Sequence, residues 1–303
     1  MAKLTIPEDE LMSPGHMGCL GCGATMAMRY VLKASGRRTI LSIPACCWAV
    51  MPGTWPNTCL QVPELYTAFE TTGASISGIK AALDALGKKD INVIGFAGDG
   101  GTADIGIQAL SGTADRNDDV LYIMYDNEAY MNTGIQRSGS TPIGAWTTTT
   151  PVGTTNDWEK SPKKNMPKIM AAHGIPYVAT ATVGYPEDLI RKVQKALSIK
   201  GTKFIQIYSP CPTGWKMEPG LTVKITKEAV SSRAFPLYEV ENGVYKVNMK
   251  PQKTSLKDYM FKQGRFKHLP QDVIDQSEKD LDAYWEELLF LEKYTQERAA
   301  KKA

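Results

Sequence analysis

The chain has 303 residues, of which 43% are hydrophobic and 22% are charged, as in an ordinary globular protein. This composition excludes wholesale disorder, and the length suits one large α/β domain, or one domain with an extension. The 35 Lys and Arg against 32 Asp and Glu leave a formal charge of +3, which indicates neither a nucleic-acid nor a membrane partner. No apolar run approaches the roughly 18 residues of a membrane-spanning helix. The N-terminus lacks the apolar core of a secretory signal, so we expect a soluble, cytoplasmic protein.

Hydrophobic periodicity predicts alternating helices and strands after a polar N-terminal arm (1–15). The predicted helices are 22–35, 73–86, 102–116, 165–173 and 185–199, and the predicted strands are 39–43, 91–98, 120–126, 176–180 and 203–208. Residues 44–65 and 137–165 have no clear period and are predicted to be loops. The alternation predicts an α/β fold, with a doubly wound, mostly parallel sheet and helices on both faces.

The remainder of the chain is predicted to be a C-terminal extension (221–303) to a domain that spans 16–220. Residues 222–275 give no firm pattern. From 276 to 299, apolar residues sit on a heavily charged helix, namely Leu281, Trp285, Leu288, Leu289 and Tyr294. This helix is either an arm that packs on another surface or a plain terminal helix.

A glycine-rich motif, Gly98-Asp99-Gly100-Gly101, ends one buried strand and precedes a helix. Glycines at such a place allow backbone N–H groups to approach a phosphate, and the helix N-terminus favours an anion. Asp99 would repel a phosphate unless a divalent cation lay between them, and Mg²⁺ accepts carboxylate, carbonyl and phosphate oxygens. By itself this motif is a weak signal of a cofactor site.

A second motif follows the next strand and strengthens the first. It begins Asp126-Asn127-Glu128-Ala129, and the Asn127 side-chain oxygen and a carbonyl near Ala129 could complete a metal site with Asp99. The pair of motifs is similar to the pyrophosphate-binding fingerprint of thiamine-diphosphate enzymes. A plain turn rich in Asn and Gly is the alternative.

Six cysteines argue against a disulfide framework in a reducing compartment. Cys19 and Cys22 form a CxxC, Cys47 follows the first predicted strand and Cys211 follows the last. Four thiolates suffice for a [4Fe–4S] cluster or for structural zinc, and buried free thiols are the third possibility. Cys46 and Cys59 are expected to be packing residues, although Cys46 could replace Cys47 as a ligand.

Five separated motifs together resemble the β subunit of 2-oxoacid:ferredoxin oxidoreductases, the pyruvate type above all. They are GHMGCLGCG, GDGGTADIG, YDNEAYMNTGIQRSGSTP, KKNMPKI…AAHGIPYVATA and SPCPTGW, and they cover about residues 15–220 in order. The resemblance implies a fold of the thiamine-diphosphate pyrophosphate-domain type. It also implies thiamine diphosphate, Mg²⁺ and a [4Fe–4S] cluster that passes electrons to ferredoxin.

The resemblance also implies roles for individual residues. It assigns the cluster to Cys19, Cys22, Cys47 and Cys211, and Mg²⁺ to Asp99, Asn127 and the carbonyl of Ala129. The cofactor-binding set adds Gly98, Gly100, Gly101, Asn132, Thr133 and Cys47, with Asn132, beside the thiazolium, as the catalytic candidate.

Departures from the family pattern bear on the substrate. The third cluster ligand stands in Ala45-Cys46-Cys47-Trp48, where the family commonly has Thr-Gly-Cys, and Ala24 replaces an acidic residue that often follows the CxxCG. These departures leave the substrate open between two that the resemblance implies. They are pyruvate, converted with coenzyme A to acetyl-CoA and CO2, and the dicarboxylate oxalate, converted to CO2 alone as in the oxalate oxidoreductase branch of the family.

Thiamine enzymes need a glutamate against the aminopyrimidine, and this chain has one pyrophosphate-type motif and no room for a second full domain. We expect another subunit of the complex, of α, γ or δ type, to supply it. Glu70 is the internal rival, although a carboxylate before a helix is commonly structural. Two other functions remain open: a non-redox thiamine decarboxylase or synthase with structural zinc, and a zinc-bound scaffold that has lost its cofactor.

Several smaller candidates surround the motifs. Arg137 could face a substrate carboxylate, and the pair Lys163-Lys164 suggests a solvated face or a docking point for an acidic ferredoxin. Loop tryptophans are expected to wall the site or an interface, namely Trp48, Trp55, Trp146 and Trp215.

Overall fold

A sheet of eight strands organises the chain, whose residues 6–54, 56–154 and 157–301 are described by the computed structural model. Its strands are β1 (Thr39–Pro44), β2 (Glu64–Thr67), β3 (Asn92–Gly98), β4 (Leu121–Asp126), β5 (Tyr177–Thr182), β6 (Lys203–Tyr208), β7 (Tyr238–Glu241) and β8 (Val244–Val247). Residues 1–5 of the predicted arm, Trp55 and the last two residues of the predicted extension lie outside the described residues.

The helices are α1 (Gly23–Ser35), α2 (Thr72–Ala85), α3 (Ile107–Arg116), α4 (Met166–Ala172), α5 (Pro186–Ser198), α6 (Pro212–Trp215), α7 (Thr222–Ser231), α8 (Leu256–Phe261) and α9 (Gln271–Ala300). Local signals account for several of their ends. Gly36, at φ 73°, terminates α1 as predicted. The Asn165 side chain accepts a hydrogen bond from the backbone N–H of Lys168 and caps α4, and Pro186 opens α5.

The strands lie in the order β2-β1-β3-β4-β6-β5-β7-β8, and the first six are mutually parallel. One apolar core joins α1 and α5 to one face of the sheet, and a second joins α2, α3, α4 and α9 to the other. The predicted doubly wound α/β fold is confirmed. The order reverses between β1 and β3, and in such sheets ligands bind beyond the carboxyl ends of the strands at that point.

Two element predictions are wrong in detail. Residues 44–65 are not wholly loop, because the chain makes a short 3₁₀ turn at Cys47–Ala49 and begins β2 at Glu64. The helix predicted over 102–116 is interrupted: a π-helical turn spans Gly101–Ile105, and α3 begins only at Ile107. Such turns occur often at functional sites, and this one lies directly after Asp99.

The residues after 221 complete the same sheet. The strands β7 and β8 are antiparallel and extend it beyond β5, and α9 covers β8 with buried Trp285 and Leu288. Phe290 and Tyr294 of α9 face outward and stack on each other. The division into arm, domain and extension at 1–15, 16–220 and 221–303 stays a prediction.

Candidate active site

The sequence motifs meet at the carboxyl edge of the sheet. Cys47 follows β1, Asp99 follows β3, Asn127 follows β4 and Cys211 follows β6. The N-terminus of α1, which Cys22 precedes, lies at the same edge, because Gly23 N–H bonds the carbonyl of Pro210, just beyond the end of β6. The fold therefore gathers all the predicted motifs around one crevice.

The glycines after β3 allow close packing in this crevice. A Cβ atom at Gly100 would lie 2.4 Å from the Tyr130 ring, and one at Gly101 would lie 3.3 Å from the Phe69 ring. The Tyr130 hydroxyl donates a 2.9 Å hydrogen bond to Asp104 in the π-helical turn. Tyr130 thus occupies the space that a side chain at Gly100 would need, which ties the β3 motif to the β4 motif.

Three oxygen-bearing groups converge below these glycines. Asp99 is fully buried, and the terminal side-chain atom of Asn127 lies 2.8 Å from Asp99 Oδ1 and 3.0 Å from the Ala129 carbonyl. With the amide nitrogen turned inward, Asn127 donates to both oxygens; with its oxygen inward, three oxygens face one another. Oxygens that occupy adjacent positions of a magnesium octahedron are also about 3 Å apart, since each lies about 2.1 Å from the metal. The three groups fit Mg²⁺.

Among the described residues, no Lys or Arg forms a salt bridge with Asp99. Asp126 and Glu128 are balanced by Lys163, which approaches them at 2.6 and 2.8 Å, and by Arg265, which bonds Glu128. Burial and the nearby Asp126 charge raise the pKa of Asp99, whereas Lys163 and Arg265 outweigh burial and lower the pKa of Glu128. A divalent ion beside Asp99 would supply the missing positive charge.

The turn that carries Asn127 and Ala129 is held from several sides. Trp215 Nε1 donates to the Asn127 carbonyl at 2.8 Å, and the Thr141 hydroxyl donates to the Glu128 carbonyl at 2.8 Å. Glu128 itself has a φ of 66°, an uncommon conformation for a side chain other than glycine, asparagine or aspartate. With those two carbonyls engaged, the Ala129 carbonyl is left to face Asp99.

Two predicted residues lie at the rim. Asn132 and Thr133 are exposed in the turn after Tyr130, and Thr133 bonds the Gln136 side chain. They flank the crevice without contacting Asp99, so their cofactor roles, including the catalytic one of Asn132, stay predictions.

The cysteine loops lie next to this turn. Gly23 N–H donates to the Pro210 carbonyl at 2.9 Å, which joins the CxxC segment to the segment that carries Cys211. The thiols influence one another: burial chiefly, and then Cys46, Cys211, Cys22 and Asp99, raise the pKa of Cys47. Burial likewise raises the pKa of Cys211 to about 11, with added effects of Cys22 and Cys19. The loops that carry Cys22, Cys47 and Cys211 thus lie at one edge of the sheet, and the assignment of Cys19, Cys22, Cys47 and Cys211 to one cluster stays a prediction.

Within the described ranges, no group of three or more His, Cys, Asp or Glu side chains is arranged to hold a single metal ion. A structural zinc needs four ligands about 2.3 Å from one centre. A [4Fe–4S] cluster distributes four thiolates over four irons and accepts a wider set. Both metal assignments of the four cysteines, the [4Fe–4S] cluster and structural zinc, therefore stay predictions.

The two adjacent cysteines after β1 differ in their surroundings. Cys47 is influenced by Cys22 and Cys211, whereas Cys46 lies against the Tyr125 hydroxyl and the Gly98 backbone. This difference favours Cys47 as the ligand. Cys59 is buried, as expected of a packing residue.

The smaller candidates have other partners. Arg137 pairs with Glu159 at 3.0 Å, and Lys164 pairs with Asp104 at 2.7 Å. The sequence context of Lys163 predicted a solvated face. In the structure, Lys163 instead pairs with Asp126 and Glu128. Of the described loop tryptophans, Trp48 and Trp215 are buried and Trp146 is half-buried.

Comparison with known proteins identifies the family. Residues 46–207 match the model described as "Thiamine pyrophosphate enzyme, C-terminal TPP binding domain". The chain is 54% identical over 294 residues to ketoisovalerate oxidoreductase subunit VorB of Pyrococcus abyssi, with 94% of each chain covered. It is 51% identical over 290 residues to pyruvate synthase subunit PorB of Methanocaldococcus jannaschii, covering 93% of this chain and 97% of that one. The chain is a β subunit of the 2-oxoacid:ferredoxin oxidoreductase family.

A solved structure supports the fold of this β subunit. The 2-oxoglutarate:ferredoxin oxidoreductase from Magnetococcus marinus aligns with a TM-score of 0.57 at 21% identity, covering 74% of this chain and 80% of that one. The resemblance inferred from the motifs is confirmed, as is an enzyme family that uses thiamine diphosphate. No helix in the described part of the β subunit is long and apolar enough to cross a membrane.

Sequence reasoning missed part of this site. Ser138, whose hydroxyl donates to Asp99, lies in a predicted loop with no distinguishing signal. Arg265 lies in 222–275, where the sequence shows no firm pattern, and a lone arginine between Gly264 and Phe266 gives little to recognise. Glu128 was visible in the second motif, but its left-handed backbone was not.

Proposed function

We propose that this β subunit catalyses the thiamine-diphosphate-dependent oxidative decarboxylation of a 2-oxo monocarboxylic acid, passing electrons through a [4Fe–4S] cluster to ferredoxin. Asp99, Asn127 and the Ala129 carbonyl would hold Mg²⁺, and Cys19, Cys22, Cys47 and Cys211 would hold the cluster. The observation that carries the proposal is the convergence of Asp99, Asn127 and Ala129 oxygens at the sheet edge where the segments of Cys22, Cys47 and Cys211 also lie. When bound, thiamine diphosphate supplies a carbanion that attacks the 2-oxo carbon and an electron sink for the departing CO2.

The residues of this chain would bind the metal ion and the cluster and orient thiamine diphosphate. The cations Lys163 and Arg265 balance Asp126 and Glu128, so the Asp99 charge is left for the metal.

The substrate is proposed to be pyruvate or a branched 2-oxoacid such as ketoisovalerate, with coenzyme A as the acyl acceptor. The relatives named above are ketoisovalerate and pyruvate enzymes. Oxalate would present a second carboxylate in place of an alkyl group. The nearby cations Arg137, Lys163 and Lys164 each pair with a carboxylate of this chain, which favours a substrate with one negative charge.

A partner subunit is proposed to complete the active site. The family match covers one thiamine-diphosphate domain, and the activating glutamate would come from an α-, γ- or δ-type subunit. Glu70, the internal rival, is exposed before α2. The isolated chain should therefore be inactive, and turnover by this chain alone would contradict the proposal.

The decisive assay is anaerobic reduction of a viologen dye by the purified complex. We expect reduction with pyruvate or ketoisovalerate plus coenzyme A and none with oxalate alone; the opposite result would make oxalate the substrate. Cys47→Ala should remove the broad absorption near 400 nm that a cluster gives, whereas the matched control Cys46→Ala should retain it. A colourless wild-type complex that contains zinc would instead support a non-redox thiamine enzyme.

A further inference from the structure

We propose that Arg265, from the segment after residue 221, is a positioning residue for the turn Asn127-Glu128-Ala129, which we call the metal-binding turn. By holding the Glu128 carboxylate, Arg265 keeps the backbone of Glu128 in its left-handed conformation. This inference rests on the proposed function, because it concerns how this chain prepares the magnesium site. It assigns a role to the C-terminal part of the chain.

The backbone of Glu128 has an uncommon conformation. Glu128, with a φ of 66°, stands between Asn127, whose side chain lies beside Asp99, and Ala129, whose carbonyl lies against that Asn127 side chain. An L-residue other than glycine is disfavoured there and persists only when its surroundings impose the conformation. A change of the Glu128 backbone would rotate its neighbours' peptide groups away from Asp99.

The Glu128 side chain contacts two cations. Its two oxygens are bound separately: Oε1 lies 2.8 Å from Lys163 Nζ, and Oε2 bonds Arg265 Nη2. Lys163 also serves Asp126, so Arg265 is the cation that belongs to Glu128 alone. Both Glu128 and Arg265 are nearly inaccessible to solvent, at 5% and 2% exposure, so removal of one partner would leave the other charge nearly buried and without this counter-ion.

The position of Arg265 is itself fixed. Gln263 Oε1 accepts from Arg265 Nε at 3.0 Å and from Nη2 at 2.8 Å. The guanidinium also lies 3.9 Å from the Trp215 ring, whose Nε1 bonds the Asn127 carbonyl. Arg265 thus touches the metal-binding turn twice, through Glu128 and through Trp215, which ends the short helix that Cys211 precedes.

The test measures Mn²⁺ binding, by electron paramagnetic resonance, to the purified complex with thiamine diphosphate present. Loss of a contact to a metal ligand typically weakens metal binding about 10–100-fold. Arg265 acts through Glu128, which is not a proposed ligand, so we expect a loss of about tenfold for Arg265→Met. Arg265→Lys keeps the charge but loses the planar stack on Trp215, and should weaken binding less. At saturating metal and cofactor, kcat should recover, because the residue does not touch the reacting atoms.

Rescue separates positioning from general stabilisation. Glycine adopts a left-handed φ without a tether, so Glu128→Gly combined with Arg265→Met should bind Mn²⁺ within about threefold of Glu128→Gly alone. The matched control is Arg233→Met: Arg233 also belongs to the C-terminal part, but it pairs with Asp282 and lies over Trp285 instead of the metal-binding turn. It should lower the thermal midpoint without changing the Mn²⁺ affinity.

Three results would overturn the inference. They are an unchanged affinity in Arg265→Met, an equal loss of affinity in Arg233→Met, and a double variant that binds as weakly as Arg265→Met. If the wild-type complex itself bound no Mn²⁺ with thiamine diphosphate, the proposed function would fail first, and this outcome is distinct from the other three.

Discussion

The backbone contact between the CxxC segment and the segment that carries Cys211 makes a quantitative prediction for Gly23→Ala. A Cβ atom at Gly23 would lie 2.6 Å from Pro210 N, 2.7 Å from Ser209 C and 2.8 Å from Pro210 O. All three are backbone atoms, so none can rotate away as the end of a side chain could. The two segments would have to separate by about 0.6–0.8 Å to reach ordinary contact.

The expected cost has two parts. Overpacking of this kind costs about 1–3 kcal/mol. The 2.9 Å hydrogen bond from Gly23 to Pro210 would also lengthen, and such a bond contributes about 0.5–1.5 kcal/mol. Alanine in a helix returns up to about 1 kcal/mol relative to glycine.

Gly78→Ala is the matched control, because Gly78 lies in α2 and no other atom comes within 4 Å of the position that its Cβ would take. Gly78→Ala, inside α2, gains the full helix term, whereas Gly23→Ala, at the first residue of α1, gains less. The difference between their free energies of unfolding should therefore be about 2–5 kcal/mol, most of it from the contact. Urea unfolding followed by circular dichroism gives this difference. Gly23→Ala should also lose absorption near 400 nm in the complex; equal stabilities, or an unchanged cluster content, would refute the reasoning.

Three further predictions concern single side chains. Asp99→Asn should abolish magnesium-dependent binding of thiamine diphosphate, measured by calorimetry, while the far-ultraviolet circular dichroism spectrum stays native. Trp215→Phe removes the donor to the buried Asn127 carbonyl and should cost about 1–3 kcal/mol in urea unfolding; an unchanged midpoint would show that this bond is not needed. Although burial raises it, the bonds to Lys195 and Tyr177 lower the pKa of Glu239 to about 2. The stabilisation from Glu239 should therefore be complete above about pH 4.5 and lost as the pH falls towards 2, and Glu239→Gln should flatten that part of the stability profile.

The sequence was sufficient for the sheet because its central strands are buried on both faces and appear as continuous apolar runs. β2 was missed because Glu64–Thr67 is a short edge strand with exposed Leu65 and Tyr66. The turn at Gly101–Ile105 was predicted as ordinary helix because hydrophobic periodicity does not distinguish π-helical from α-helical residues.

The candidate site was predictable where function requires a specific residue type at a strand end, as at Asp99 and Cys211. The site was not predictable where packing between distant parts of the chain determines the partner of a side chain. Two adjacent lysines normally indicate a solvated surface, yet Lys163 pairs with carboxylates that lie 37 and 35 positions earlier in the chain. Arg265 reaches Glu128 across 137 positions, a separation over which no local pattern carries information.

That separation has a consequence for biosynthesis. The carboxylates at the metal-binding turn emerge from the ribosome long before the guanidinium that balances one of them. Until the segment carrying Arg265 has been made and has folded back, Glu128 has no cation of its own. Binding of the proposed Mg²⁺ should therefore follow synthesis and folding of the segment that carries Arg265, and shorter nascent chains should stay free of the metal ion and the cofactor.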